Sequence, residues 1–231
     1  PRGLIVEKRV LDGARHGVAL APVTQELLGL AKCGVKDLSA VAVSLGPGSW
    51  TGLRIGLAAA KAMAWGAGLA LAGVPSLEAL ALTALRAHPA SPQRLVLTVR
   101  HAFAEGLYAA LWRETSGPPQ RLLDECVLRP DRLARAVGQA LEQGGVPGAP
   151  VALCGDAVCL QAVESPAAAE GWEVLADMQE AAAGALAELA WARVAAGKCW
   201  RSPAEIHAAA PLYLRASDPE LKLKRRQGGA G

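Results

Sequence analysis

A chain of 231 residues that is 52% hydrophobic and 19% charged can bury one large core, or two small ones packed together, which excludes a disordered protein. Its 24 basic and 21 acidic residues leave a net charge of +3, too slight for this chain alone to grip a nucleic-acid backbone. Five cysteines, Cys33, Cys126, Cys154, Cys159 and Cys199, form no C-x-x-C pair and no disulfide framework, so free thiols in a reducing cytoplasm are expected.

Leu4 to Val10 alternates well enough for a strand, and Val18 through Lys32 carries Leu20, Val23, Leu27, Leu28 and Leu30 at helical spacing. Pro22 is tolerable in a first turn, and Gly34 is expected to stop that helix. Leu38 to Leu45 is a short valine-rich run that fits a strand buried on both faces. A Gly-Pro-Gly turn follows, then a helix from about Trp50 to Ala64, a strand from Leu69 to Gly73, and a helix from Leu77 to about Ala87 that Ser76 can cap.

The apolar stretch from Ala62 through Val74 is broken by Gly66, Gly68 and Gly73 and is too short to span a bilayer. His88 to Gln93 is the clearest linker. Beyond it, Leu95 to Val99 and Leu107 to Trp112 fit a hairpin, Val151 to Cys154 another strand, and Glu180 to Ala196 an alanine-rich helix. Strand and helix alternate as in a mostly parallel α/β sheet, with one domain over residues 1–90 and a second over 91–231 whose C-terminal helix packs back on the first. The basic cluster Lys222, Lys224, Arg225 and Arg226 near the C-terminus reads as a solvated tail. No secretory leader is visible, so a cytoplasmic protein without membrane contact is expected.

The loop SLGPGSWTGLRIG, residues 44–56, is the chemical centre of attention. A P-loop needs a lysine after its last glycine and the right glycine spacing, but Gly46 and Gly52 are one residue too far apart and Leu53 follows. A nucleophile elbow needs G-x-S-x-G, and Ser49 is not so flanked. Capping of the next helix is the favoured reading of Ser49 and Thr51. The turn presents backbone N–H groups at a helix start, so Gly46, Gly48, Ser49 and Thr51 are weak candidates for an anion site, or only a tight connection. His16, His88, His101 and His207 stand far apart with no metal-ligand spacing, and Asp124-Glu125 reads as a solvated face rather than an acid/base pair.

On the helix after the loop, Trp50, Arg54, Lys61 and Trp65 fall in one stripe about 60° wide. Gly52, Gly56 and Ala60 recur every four residues on another face, where small side chains admit a second backbone. Both sets are candidates for a partner interface, with close packing on the chain's own sheet as the equal alternative.

Residues 41–81, VAVSLGPGSWTGLRIGLAAAKAMAWGAGLALAGVPSLEALA, resemble the signature region of the bacterial TsaB (YeaZ) family, with Trp50 in place of phenylalanine and Pro75 in place of serine. Tyr108 to Leu111, Gly155-Asp156 and Pro211 to Arg215 continue the resemblance. It implies a two-domain α/β fold of the actin, hexokinase and Hsp70 class (ribonuclease H-like). It also implies a first strand upstream of Pro1 that this chain lacks, and an altered hairpin turn from His101 to Gly106. The family's function would make the chain a non-catalytic scaffold, without a cofactor of its own. It would be homodimeric alone and paired with a TsaD-type enzyme and a TsaE-type ATPase for threonylcarbamoylation of the adenosine beside the anticodon. tRNA would be met only through the complex, and ATP or ADP at the partner interface. His16, followed four places on by Leu20, lacks the histidine pair that TsaD-like proteins use for metal. The rivals are a glycoprotease-like metallopeptidase, which predicts bound metal, and a stand-alone nucleotide phosphotransferase, which predicts tight binding of ATP with magnesium.

Overall fold

The computed structural model describes residue 7 and residues 16–89, 94–102 and 106–214. The expected strand from Leu4 to Val10, the centre of the altered hairpin turn, Arg215 and the basic C-terminal cluster therefore lie outside the described residues.

In chain order the elements are α1 (His16–Leu30), a 3-10 turn (Val35–Asp37), β1 (Ala40–Gly46), α2 (Trp50–Ala67), β2 (Ala70–Pro75) and α3 (Ser76–Ala87). There follow β3 (Leu95–His101), β4 (Leu107–Arg113), β5 (Gln120–Leu128), α4 (Pro130–Gln143), β6 (Val151–Gly155), α5 (Ala157–Ala162), α6 (Glu164–Ala169), β7 (Glu173–Val174), α7 (Ala183–Ala195) and α8 (Pro203–Ala208). Among the described strands β1 and β2 pair in parallel, and a second sheet runs β5-β4-β3-β6-β7. Its β5, β4 and β3 are antiparallel neighbours, whereas β3, β6 and β7 are parallel.

Several local expectations change. α1 begins at His16, so Pro22 stands in its second turn, where it removes one i→i−4 hydrogen bond. Lys32 rather than Gly34 ends the helix: it takes the left-handed conformation at φ 52°. The Lys32 N–H then donates to the Gly29 carbonyl at 3.1 Å and the Cys33 N–H to the Leu28 carbonyl at 3.0 Å, the paired bonds of a Schellman end. β1 is not buried on both faces. Only Val43 and Gly46 in it are buried, because β1 has the one neighbour β2 among the described strands.

α3 is the wedge between the two sheets. Leu77, Leu80, Ala81, Ala84 and Leu85 pack against Val96, Tyr108 and Trp112 of the second sheet. Ala79 and Leu82 face Ala72 and Val74 of β2, with Leu189 and Ala190 of α7 closing the same cluster. Nine of its twelve residues are buried, among them Glu78, which pairs with Arg193 at 2.6 Å, and each leucine so placed contributes about 1.5–3 kcal/mol. Ser76 does not cap this helix; its hydroxyl donates instead to the Pro47 carbonyl at 2.6 Å and ties α3 to the glycine loop.

Candidate functional site

The glycine loop joins β1 to α2 through a cis Gly46-Pro47 bond, with Gly46 at φ +94°. A Cβ at Gly46 would sit 2.7 Å from a Leu53 methyl group, so conformation and contact both require glycine there. Ser49 caps α2 as expected, its Oγ accepting the Gly52 N–H at 3.3 Å. Thr51 is no cap; it lies exposed one residue inside the helix.

Beside this loop is a cavity of 360 Å³ lined by Ser44, Gly48, Ser49, Ser76, Arg100, His101 and Asp156 among others. Folding thus brings His101 to the wall that Ser49 shares, although nothing close in sequence supplies a histidine. Asp156, however, is committed to the backbone: one carboxylate oxygen accepts the His101 main-chain N–H at 2.7 Å and the other the Cys159 N–H at 3.0 Å. Some of the donors around the loop are engaged within the chain. Gly46 N–H donates toward Ser44 Oγ, Gly52 N–H to Ser49 Oγ, and the Ser76 hydroxyl to Pro47.

Several groups elsewhere are shifted toward their protonated forms. Burial pushes the Cys154 thiol up to about 12. Burial and then the Asp156 carboxylate do the same for Cys159, also to about 12. The adjacent Asp124 and Glu125 do not share a solvated face: Asp124 is exposed, while the Glu125 side chain is only 4% exposed and pairs with Arg121 at 3.0 Å. Alternation along β5 separates them, and desolvation holds the Glu125 carboxyl above its ordinary range. Among the described residues no three His, Cys, Asp or Glu side chains gather as metal ligands, and no helix is long and apolar enough to cross a membrane.

The candidate interface residues of α2 divide. Trp50 stacks on Tyr213, with ring centroids 4.2 Å apart, and the Arg54 guanidinium lies 4.4 Å over the Trp50 ring. Lys61 Nζ donates to the His207 carbonyl at 2.6 Å. These three are therefore held by the chain's own C-terminal segment. Ala60 is buried in the core with Val43, Leu57 and Ile206, so for it the packing alternative is the one observed. Gly52 is exposed and Gly56 half-buried, and a Cβ on Gly56 would meet nothing within 4 Å. Trp65 is 68% exposed.

The open face of α2 is a different one. Thr51, Ile55, Ala58, Ala62 and Trp65 are all exposed and advance in alternating steps of four and three residues. They span about 80° of the helix surface and about 21 Å of its length. α1 crosses beside them at Gly17, where a Cβ would lie 3.5 Å from Ile55 Cδ1. α1 itself adds exposed Val18 and Leu30, and none of residues 17–30 is buried. The four-three spacing places these five residues on one face of the helix. The engagement of Trp50 and Arg54 was not visible, because Tyr213 lies 159 residues beyond Arg54.

Residues 12–221 match the family model described as TsaD, tRNA N6-adenosine threonylcarbamoyltransferase. The class is therefore that of the TsaD-like α/β proteins. Over 209 residues, 90% of this chain and 82% of the relative, it is 30% identical to the tRNA threonylcarbamoyladenosine biosynthesis protein TsaB of Bacillus subtilis (strain 168). It is also 32% identical over 116 residues to the protein of the same name from Escherichia coli (strain K12), a match that spans about half of each chain: 50% of this one and 49% of that one. The chain belongs to the TsaB (YeaZ) family. A solved structure titled YeaZ from Pseudomonas aeruginosa superposes with a TM-score of 0.68 at 23% identity, covering 86% of each chain. The fold is thus the α/β architecture of the actin, hexokinase and Hsp70 class that the signature implied.

Proposed function

We propose that this chain serves the biosynthesis of threonylcarbamoyladenosine in tRNA as a non-catalytic scaffold that pairs with a TsaD-type enzyme, with a TsaE-type ATPase as the further partner. The observation that carries the reading is the open seam of Thr51, Ile55, Ala58, Ala62 and Trp65 beside an α1 with no buried residue among 17–30. An apolar helical face of this kind is what a partner helix covers. A TsaD-type chain, described by the same family model, offers a counterpart of the same architecture. Self-pairing through this face is its behaviour when the partner is absent.

The non-catalytic part of the reading is supported by the chemistry around the loop. Asp156 spends both oxygens on main-chain N–H groups, and burial keeps the Cys154 and Cys159 thiols protonated. Capture experiments test the reading directly: the chain co-expressed with the TsaD-type protein of the same organism is expected to co-purify with it. Ile55→Asp, which places a charge in the seam, is expected to abolish capture. Co-purification of that variant at the wild-type level would overturn the proposal.

A further inference from the structure

The segment after α8 returns across α2 as a strap. Ile206 and Ala209 are buried in the core under α2, and the Leu212 N–H donates to the Leu45 carbonyl at 2.7 Å, immediately before the glycine loop. Tyr213 then lies on Trp50 at 29° between ring planes, and Arg54 Nε donates to its hydroxyl at 3.2 Å. Leu214 continues into contact with the second sheet's core. The strap is therefore anchored on both sides of Tyr213.

On α2 the strap occupies the flank of Trp50, Arg54 and Lys61, while α1 approaches at Ile55 on the far edge of the seam. The seam from Thr51 to Trp65 remains open beside the strap. Tyr213 keeps 42% of its surface exposed although its ring and hydroxyl are both held. A side chain fixed in this way loses little rotamer freedom when a partner covers it, and tyrosine beside arginine is the composition of interface anchors.

We propose that the strap forms a second wall of the docking surface and that Tyr213, pinned by Trp50 and Arg54, anchors the partner's helix. This rests on the reading of the α2 seam as the partner-binding face. The occupant is an amphipathic helix whose apolar residues repeat in alternating threes and fours and which carries a carboxylate toward Arg54. Ala58 and Ala62, set between the larger Ile55 and Trp65, leave room for the knobs of such a helix. Its sign follows from the charges of α2, which are Arg54 and Lys61 with no acidic residue.

The test uses the full chain and the TsaD-type protein of the same organism, with affinity measured by calorimetry and strap amides followed by hydrogen exchange. Tyr213→Ala is expected to weaken binding tenfold or more, Tyr213→Phe to stay within about threefold, and the unmodified strap amides to gain protection in the complex. Should Tyr213→Ala fail to fold, the exchange measurement on the unmodified chain decides. If Ile55→Asp abolishes binding while Tyr213→Ala binds within twofold of wild type and the strap amides gain no protection, the strap proposal falls and the docking face stands. If Ile55→Asp binds normally, the docking face falls and the strap proposal with it.

Discussion

α1 and α3 are two apolar helices with opposite fates. α3, SLEALALTALRA, has nine of its twelve residues buried between two sheets and α7. α1, HGVALAPVTQELLGL, is fifteen residues long and buries none of residues 17–30, although it carries Val18, Leu20, Val23, Leu27, Leu28 and Leu30. Composition does not separate them. What separates them is cover: α3 follows β2 directly and is trapped by the second sheet, whereas α1 touches chiefly one face of α2. Among the described residues no other element covers α1, and under the proposed function that exposed apolar surface belongs to the docking face.

The sharpest way to break this contrast is to truncate each helix in turn. Leu80→Ala, in a site 1% exposed, is expected to cost about 2–5 kcal/mol of unfolding free energy in urea titrations. Leu30→Ala, at 60% exposure, is expected to cost less than about 0.5 kcal/mol. Comparable losses at the two sites would show that α1 is covered in solution by this chain itself.

A charge in the seam comes next in size. Ile55→Asp is expected to leave the unfolding free energy of the isolated chain within about 0.5 kcal/mol at concentrations where the chain is monomeric, since Ile55 is 40% exposed. The same change should lower affinity for the TsaD-type partner by at least about a hundredfold, which corresponds to about 2.7 kcal/mol. Unchanged affinity, measured by calorimetry, would remove α2 from the interface and leave the exposed apolar surface of α1 without its neighbour.

Much of the fold was legible, for identifiable reasons. The β3–β4 hairpin, β6 and the glycine loop announced themselves through alternation, valine content and Gly-Pro punctuation. β5 and α4 went unread although α4 spaces Leu133, Val137, Ala140 and Leu141 on one face. The proposed docking face was half legible: Trp65 lies on the open side of α2, but Trp50, Arg54 and Lys61 are engaged by residues from the far end of the chain. Helical spacing says which residues share a face, not which distant segment will cover it. Glu125 escaped for the same reason, since its dry surroundings include Glu78 of α3, far from it in sequence.

The cap of α2 offers a smaller test, because it bears on whether the seam is presented in register. Ser49→Ala removes the acceptor for the Gly52 N–H and is expected to cost about 1 kcal/mol, read as a few degrees in thermal melts. A change within error would mean that the loop backbone and the Ser76–Pro47 bond already fix the helix start.

The smallest expected effect probes how dry the covered side of α3 is. Burial is the main cause holding the Glu125 carboxyl above its ordinary 4.5, with the nearby Glu78 charge of α3 acting the same way and Arg121 opposing it. The folded chain therefore keeps that proton to higher pH than the unfolded chain does. In the window upward from about 4.5 the native state binds more protons, so this contribution to stability is full below the window and is lost as pH rises through it. Glu125→Gln cannot titrate, and its stability relative to wild type should increase as pH rises from 4 toward neutrality, about pH 7. Urea titrations of both proteins across that range measure the difference. Parallel profiles would show that water reaches Glu125, and that α3 is covered less completely on the β5 side than on the side it turns to β2.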